Sequence, residues 1–336
     1  MKKKGQNLTE RVLKTIRSYD MLKPGDVVIA AVSGGPDSVF LLHAMAGLKN
    51  KLKLKEIIVC NLDHGLRGKE SRDDSIFVKR LAKQLSLRFA HKKINLSRMR
   101  SKGLSTEELA REARYGFFKE TASRFGANVV ATGHTLDDQA ETIMMRIVLG
   151  SSIKGLAGIF PVRKVGRFTV IRPLMELEKD EITDYLEDSD ISYRVDRTNL
   201  ERLYFRNVVR SEILPFLEKY NPRLKRSLSN MAGHLRDDLE FIGRRKDKAG
   251  EAIRHGHGGS ADIGLKDIIP QPKAVQKELL RDLLERSGGL VKRLSFRHWK
   301  EMENLIRSKP KGSSIDLPGN IRVTRTATAL TFRKRT

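Results

Sequence analysis

The chain of 336 residues lacks the features that mark several large classes of protein. It contains one cysteine, Cys60, so neither an internal disulfide framework nor a cysteine metal site can form within it. Its apolar runs fall short of the roughly 18 residues that cross a bilayer. The basic start Met-Lys-Lys-Lys-Gly leads into no apolar segment of the kind found in secretory signals. We therefore expect a cytoplasmic protein with no membrane partner.

Acidic side chains are also few relative to basic ones. The chain carries 66 Lys and Arg against 41 Asp and Glu, which gives a formal net charge of +25. From Phe216 onward, about 27 basic residues stand against about 14 acidic ones. An excess of this size indicates a polyanionic partner, most simply a nucleic acid. The C-terminal part, where the basic residues are densest, is the better candidate for contacting it.

One glycine turn has the character of a phosphate-binding loop. The apolar run from Val27 to Val32 predicts a buried strand, and the pattern from Val39 to Leu48 predicts a helix. Between them, glycines let a ligand approach the backbone closely, and the helix N-terminus adds partial positive charge. The turn consists of Ser33, Gly34, Gly35, Pro36, Asp37 and Ser38.

Two common phosphate loops are excluded at this turn. No lysine follows the glycines as it would in a Walker A loop, and the spacing Gly-x-Gly-x-x-Gly is absent. Asp37 would repel phosphates unless Mg²⁺ lay between them, so we expect it to bind that ion. The alternative is an ordinary strand-to-helix turn with a serine cap.

Strands alternate with helices in the first half of the chain. This alternation predicts an α/β fold with a doubly wound parallel sheet, in which ligands lie outside the carboxyl ends of the strands. Polar clusters follow the strands at that edge, and we expect Asp63, His64 and His134 to lie near the base, ribose or α-phosphate of a nucleoside triphosphate. The further predicted strands are Glu56 to Leu62, Arg88 to Ile94 and Val129 to Thr132.

The composition also suggests two domains. Asn221-Pro222 predicts a break in the chain, so we expect a catalytic domain over residues 1–220 and a smaller, basic α+β domain over residues 221–336. Short β segments and the turn Pro318-Gly319-Asn320 indicate a hairpin near the end.

Charged side chains on two predicted helices are candidates for binding. Asp137 and Glu141 are four residues apart, so they share a helical face and could bracket a metal ion or an amino group. Complementing the helix dipole is the plainer interpretation. Arg111 and Arg114 share a face of another helix, where they could contact phosphate or RNA, or form surface salt bridges.

Together these motifs resemble the tRNA(Ile)-lysidine synthetase family, a branch of the PP-loop (N-type) ATP pyrophosphatases. The first motif defines the superfamily only, and the strings at 63–67 and 133–142 are much more specific. Besides the glycine turn, the resemblance rests on Asp63-His64-Gly65-Leu66-Arg67, residues 110–115, residues 133–142, Gly155-Leu156-Ala157-Gly158, Arg172-Pro173-Leu174, residues 196–199 and Arg206-Asn207.

The resemblance implies a two-step reaction. ATP adenylates the carbonyl oxygen at position 2 of the wobble cytidine of isoleucine tRNA with a CAU anticodon, and free L-lysine then displaces AMP. It implies that residues 33–38 hold ATP, that Asp37 binds Mg²⁺, and that Arg111, Arg114 and Arg206 stabilise phosphate or the activated base. Asp137 and Glu141 would hold the ammonium of lysine, the loop from Gly150 to Gly158 would close over it, and the C-terminal domain would grip the tRNA.

Two alternative functions fit these residues less well. A thiolating relative would need two cysteines or a cluster to deliver sulfur, which the single Cys60 does not provide. A nucleotide-binding RNA-binding protein without catalysis would leave the intact turn and its carboxylates unexplained. The oligomeric state is open, and a homodimer is one option.

Overall fold

The computed structural model describes residues 2–65, 69–96, 106–194, 205–256 and 259–335. Leu66, Arg67 and the motif at 196–199 lie outside the described residues. The chain divides into two compact units, Met1–Gly233 and His234–Thr336. Among the described helices, none is long and apolar enough to span a membrane.

The first unit is built around a six-stranded sheet. Its strand order is β3-β2-β1-β4-β6-β5, and every neighbouring pair is parallel except β5 and β6. The central strands are apolar and buried, as expected for a parallel sheet covered on both faces. This confirms the predicted doubly wound α/β fold. The strands are β1 (Val27–Ala31), β2 (Glu56–Asp63), β3 (Arg88–Lys93), β4 (Val129–Ala131), β5 (Val162–Val165) and β6 (Phe168–Ile171).

Helices cover both faces of this sheet. One apolar cluster packs helix residues such as Leu13, Phe40 and Ile182 against one face, and Phe117 and Phe118 pack against the other. The helices are α1 (Lys2–Ser18), α2 (Pro36–Leu48), α3 (Lys69–Gln84), α4 (Thr106–Phe125), α5 (Leu136–Val148), α6 (Ile153–Leu156), α7 (Lys179–Asp188), α8 (Phe205–Val208) and α9 (Leu214–Glu218).

Three segments differ in detail from the sequence-based expectation. The Gly150 to Gly158 segment, expected as a loop, contains the helical turn α6. The sequence also predicts a single short strand that ends at Arg172, and the structure makes it the second strand of the β5–β6 hairpin. The sequence pattern from Phe205 to Tyr220 predicts one helix, and the structure places a π-helical turn, Val209–Ile213, between α8 and α9 there, a geometry that often marks functional sites.

The second unit is α+β, as predicted. Five antiparallel strands in the order β7-β8-β11-β10-β9 pack on helices through Leu279, Leu283, Val323 and Phe332. Helix α10 (Leu224–Gly250) contributes residues to both units. The other elements are β7 (Arg254–His255), β8 (Ala261–Gly264), α11 (Leu265–Ile268), α12 (Lys273–Arg286), a 3₁₀ turn (Val291–Arg293), α13 (Phe296–Arg307), β9 (Ser314–Leu317), β10 (Ile321–Arg325) and β11 (Ala329–Lys334).

Candidate active site

The glycine turn leads from β1 into α2 and is organised by one serine side chain. Ser38 Oγ accepts hydrogen bonds from the backbone amides of Ser33 and Gly34, both at 3.2 Å, and donates to the carbonyl of Gly35 at 2.9 Å. Gly34 has φ of +103°, a left-handed conformation that only glycine adopts without strain. The turn is therefore held in one shape by its own residues.

Asp37 is the carboxylate of this turn and has unmet bonding capacity. Its Oδ1 is buried without a hydrogen-bond partner among the described residues. Burial raises the pKa of Asp37 to about 7, with Asp138 and Asp137 adding to the rise and Lys179 opposing it. An orphaned, buried carboxylate oxygen beside the glycine turn fits a hard cation such as Mg²⁺.

The loop after β4 lies directly against the glycine turn. A Cβ at Gly133 would lie 3.1 Å from the carbonyl carbon and oxygen of Asp37 and 3.3 Å from the amide nitrogen of Ser38. The next residue, His134, places Nδ1 3.0 Å from Thr132 Oγ1. The structure thus brings two of the predicted clusters into contact.

Both histidines of the predicted clusters are neutral at pH 7. Burial lowers the pKa of His134 to about 4, opposed by Asp138 and reinforced by Arg172, Arg206 and Arg114. Burial followed by the charge of Arg114 lowers the pKa of His64, while Asp63 opposes the shift. A neutral imidazole offers one acceptor and one donor to a ligand.

Asp63 serves its own turn at the end of β2. Its Oδ1 accepts the amide of Gly65 at 2.8 Å, and the side chain is buried. Gly65 has φ of +68°, and a Cβ there would lie 2.4 Å from the carbonyl oxygen of Ile94. The predicted nucleotide-binding role of Asp63 therefore coexists with a clear local role in shaping this loop.

Helix α5 starts with a capping box that orients its carboxylates. Thr135 and Asp138 exchange hydrogen bonds between side chain and backbone, which fixes the first turn. Asp138 also accepts Lys179 Nζ at 2.9 Å and Arg206 Nη2 at 3.1 Å. Although burial acts to raise it, the pKa of Asp138 is lowered by the charges of Lys179 and Arg206 and by the hydrogen bond from the Thr135 amide, so the carboxylate is ionised.

Glu141 is the buried centre of an ion-pair network. Only 1% of its surface is exposed. Its carboxylate accepts Arg206 Nε at 2.7 Å and Arg210 Nε at 2.6 Å, and Lys179 Nζ lies 3.7 Å away. Arg206 belongs to α8 and Arg210 to the π-helical turn. Glu141 therefore fixes two arginines of a distant segment beside α5.

Asp137 faces a different set of partners. Its Oδ1 pairs with Lys225 Nζ at 2.8 Å, and its Oδ2 accepts the backbone amide of Lys179, the first residue of α7, at 2.8 Å. Asp137 thus caps the N-terminus of α7. Both carboxylates expected to hold the substrate ammonium, Asp137 and Glu141, already have cationic partners from this chain.

Helix α4 carries the two predicted arginines on its exposed surface. The Arg111 guanidinium lies 5.1 Å from the centre of the Tyr115 ring. Burial lowers the pKa values of Arg146 and Arg172, and the charge of Arg111 lowers both further. The charge of Arg114 lowers the pKa values of His64 and His134. The two arginines therefore face the same edge of the sheet as the glycine turn.

The segment from Gly150 to Gly158 is tied to α5. Arg146 Nη1 donates to the carbonyls of Gly155 and Gly158, and Gln139 Oε1 accepts the amide of Ile159 at 2.6 Å. Gly158 has φ of +69°, and a Cβ there would lie 2.5 Å from Gln139 Oε1. This segment is held against α5 by specific hydrogen bonds.

Several residues of this site were not singled out from the sequence. Lys179, Arg210 and Lys225 lie far along the chain from the carboxylates that they contact, and isolated basic residues are too common in this chain to stand out. Two signals could have found the first two of them: the position of Lys179 in the first turn of a predicted helix and the spacing of Arg206 and Arg210 on one helical face. Arg146 was also missed, while Gln139 and Arg172 stand in the strings that carry the resemblance without an assigned role.

The fold and the site define a class of protein. A family model described as a PP-loop domain matches residues 5–217. Among solved structures, the U34-tRNA thiolase NcsA from Methanococcus maripaludis, described with its [4Fe-4S] cluster, superposes with a TM-score of 0.58 at 20% identity, covering 68% of this chain and 78% of that one. The chain has the PP-loop fold.

Within that class, curated relatives define the family. A protein of Clostridioides difficile is 34% identical over 319 residues, which cover 94% of this chain and 68% of the relative. A protein of Clostridium acetobutylicum is 40% identical over 315 residues, covering 93% and 67%. Each is named tRNA(Ile)-lysidine synthase. The chain belongs to the tRNA(Ile)-lysidine synthase family.

Proposed function

We propose that this protein is a ligase that joins free lysine to carbon 2 of the wobble cytidine of isoleucine tRNA with a CAU anticodon, driven by ATP. The observation that carries the proposal is membership of the lysidine synthase family over more than nine-tenths of the chain. ATP, lysine and tRNA meet in the cytoplasm, where we place the reaction.

The first step forms an adenylated base. The carbonyl oxygen at position 2 of the cytosine attacks the α-phosphorus of ATP, and pyrophosphate leaves. The turn at residues 33–38 would hold the β and γ phosphates on its amides and on the N-terminus of α2. Arg111, Arg114 and Arg206 would balance charge that develops on the phosphate or on the activated base. His64, His134 and Asp63 would border the nucleotide.

A divalent ion fits beside the turn. Asp37 would hold Mg²⁺ through its buried, unpartnered oxygen. When bound, the ion would neutralise charge on the phosphates as pyrophosphate departs. The side chain itself would keep the cation next to the amides of the turn.

The second step joins lysine to the base. The ε-amine of lysine attacks carbon 2, the bond from carbon 2 to the adenylated oxygen breaks, and AMP leaves with that oxygen. Asp137 and Glu141 would hold the lysine through its other, α-ammonium group. The acidic cluster around them accommodates an alkylammonium, since Lys179 Nζ lies 2.9 Å from Asp138 and 3.7 Å from Glu141. Incoming lysine would exchange for one of the resident cations, and the Gly150 to Gly158 segment would cover it.

The basic C-terminal region would bind tRNA. We assign catalysis to residues 1–220 and tRNA binding to residues 221–336. Exposed basic residues next to aromatic rings support this role, since Lys300 lies 5.8 Å from the centre of the largely exposed Phe296 ring and Arg245 lies 5.4 Å from that of Phe241. The homodimer remains a prediction that sedimentation would check.

Thiolation of tRNA is the disfavoured alternative. Sulfur delivery needs more than the one cysteine of this chain. Burial raises the pKa of the Cys60 thiol to about 12, which makes it a poor nucleophile.

The direct test is a reconstituted reaction. The protein is incubated with ATP, isotopically labelled lysine and isoleucine tRNA with a CAU anticodon, and the nucleosides are identified by mass. We expect lysidine, with AMP and pyrophosphate in equal amounts. Methionine tRNA, which shares the anticodon, and a reaction without lysine serve as controls. Pyrophosphate release without any modified nucleoside would contradict the proposal.

A further inference from the structure

Arg172 stands at the edge of the sheet where the site lies. It directly follows β6, whose last residue is Ile171. The neighbouring strand β4 continues into Thr132, whose amide donates to the carbonyl of Ile171 at 3.0 Å. Thr132 in turn leads into Gly133 and His134 of the site. Arg172 is therefore placed at the carboxyl end of the strand beside β4, where ligands of doubly wound sheets bind.

The guanidinium of Arg172 is buried and lacks a carboxylate partner among the described residues. The residue is 4% exposed. Its Nη1 donates to the carbonyl of Phe160, while Nε is buried without an acceptor in the described part of the chain. Arg206, by contrast, has two carboxylate partners. A buried cation normally requires a counter-charge, so Arg172 has a charge and a donor that the described residues do not use.

The surroundings of Arg172 add further positive charge. After burial itself, the charges of Arg111 and Arg163 lower the pKa of Arg172, and Tyr115 opposes them. Arg172 also contributes to the low pKa of His134. The charge of Arg111 thus adds to that of Arg172, and positive charge of this kind attracts an anion.

We infer that Arg172 is a catalytic residue that binds the α-phosphate of ATP and keeps that contact in the adenylated base. The inference rests on the proposed function. The loop at Gly133 lies against the glycine turn, and Thr132 bonds to Ile171 of β6. With the β and γ phosphates on that turn, the α-phosphate would therefore lie near His134 and the end of β6. Nη1 is already bonded to Phe160, which leaves the edge formed by Nε and Nη2 as a fork for two phosphate oxygens.

The test separates the α-phosphate from the other two. Binding of AMP, which has only the α-phosphate, and of inorganic pyrophosphate, which would occupy the β and γ positions, is measured by calorimetry on the full chain. Arg172→Met should weaken AMP binding about tenfold or more and leave pyrophosphate binding within about twofold. Arg172→Lys, which keeps the charge and loses the fork, should fall between wild type and Arg172→Met.

A neighbouring arginine provides the control. Arg167 lies exposed in the turn between β5 and β6, and Arg167→Met should leave both affinities close to wild type. Equal loss of AMP and pyrophosphate binding in Arg172→Lys, or no loss of either, would overturn the inference. If Arg172→Met does not fold, Arg172→Lys decides alone. Neither assay uses lysine or tRNA, so a failure to form lysidine would count against the proposed function and leave this result standing.

Discussion

At the scale of single residues, burial of the Asp37 carboxyl opposes stability at neutral pH. Its carboxyl is largely removed from water, and one oxygen has no partner among the described residues. Without a cation the neutral form is favoured, which is why its pKa rises to about 7. The folded protein therefore holds a proton that the unfolded chain, with an ordinary pKa of 3.8, releases.

This imbalance predicts a pH dependence of stability for Asp37. In the absence of nucleotide and metal, the folded state binds more protons than the unfolded state between about pH 4 and pH 7. The contribution of Asp37 to the free energy of unfolding is therefore lost as pH rises through 7. Asp37→Asn should remove this loss. Relative to wild type, the variant should gain roughly 2 kcal/mol in free energy of unfolding between pH 5 and pH 8, measured by urea unfolding.

Pyrophosphate release and a control variant complete the test of Asp37. Asp37→Asn should release little or no pyrophosphate from ATP, because the cation site is removed. Asp184→Asn, at an exposed position on α7, should alter neither property. A pH-independent difference between Asp37→Asn and wild type would show that Asp37 titrates normally.

Asp137 allows a clean test of the proposed lysine site. Glu141 holds two arginines, so its removal would disturb several functions at once. Within the described part of the chain, Asp137 bonds to Lys225 and to the start of α7. Asp137→Asn should raise the KM for lysine about tenfold or more, with the KM for ATP changed much less, in steady-state assays. Equal rises in both KM values would remove Asp137 from lysine binding.

At the scale of elements, the glycine turn and the start of α5 form one assembly. The close approach at Gly133 joins the β4–α5 loop to the backbone of Asp37 and Ser38. The position of α5 relative to the glycine turn is thus set by a backbone approach that a Cβ at residue 133 would make tighter than an ordinary contact.

Gly133→Ala tests this approach. The added methyl, 3.1 Å from backbone atoms of Asp37, must push the loop away from the turn, so we expect the KM for ATP to rise about tenfold. The matched control is Gly47→Ala in α2, where a Cβ meets nothing within 4 Å. That change should stabilise the helix slightly, by about 0.5–1 kcal/mol, without affecting ATP use. An unchanged KM for ATP in Gly133→Ala would mean that the loop can move to accommodate the methyl group without affecting ATP binding.

Glu141 links two further elements. It anchors Arg206 of α8 and Arg210 of the π-helical turn to α5. Glu141→Gln would leave two partly buried guanidinium groups short of a counter-charge, and we expect a loss of about 3 kcal/mol in the free energy of unfolding.

An exposed ion pair provides the comparison for Glu141. Glu120 pairs with Lys92 at the surface, where both side chains are about half exposed. Glu120→Gln should cost less than about 1 kcal/mol. Similar losses for Glu120→Gln and Glu141→Gln in parallel urea titrations would show that burial of Glu141 contributes nothing.

At the scale of the whole molecule, the two compact units suggest a division of labour. Leu228 and Ala232 pack into the first unit, and Lys225 pairs with Asp137. A shortened chain should therefore end after Gly233 so that this packing and this ion pair are kept.

The shortened chain tests where tRNA is held. Deleting residues 234–336 removes much of the basic C-terminal region, so tRNA affinity should fall and depend less on salt. The slope of log K against log salt should decrease by about 0.7–0.9 for each phosphate that the shortened chain no longer neutralises. Filter binding at several salt concentrations measures this slope. Adding ATP should raise the melting temperature of the shortened chain, which would show that the first unit is folded. An unchanged salt slope would place tRNA recognition in the first unit.

Most of the fold could be predicted from local patterns. The strands β1 to β4 and the helices between them follow from apolar runs and helical periodicity, which depend on near neighbours. The strands β5, β7 and β8 were missed because they are short and half polar, so pairing partners elsewhere decide their structure. The π-helical turn carries no sequence signal that distinguishes it from an α-helix.

The glycine turn, the carboxylates at the start of α5, the surplus of positive charge and the family all follow from the sequence alone. These properties reside in contiguous residues or in composition. Which charges meet depends instead on the tertiary structure. Lys179, Arg210 and Lys225 reach the carboxylates of α5 from about 40 or more positions away along the chain, whereas Arg172 has no such partner among the described residues. Ion pairing depends on distance in space and on exclusion of water, and neither is encoded locally.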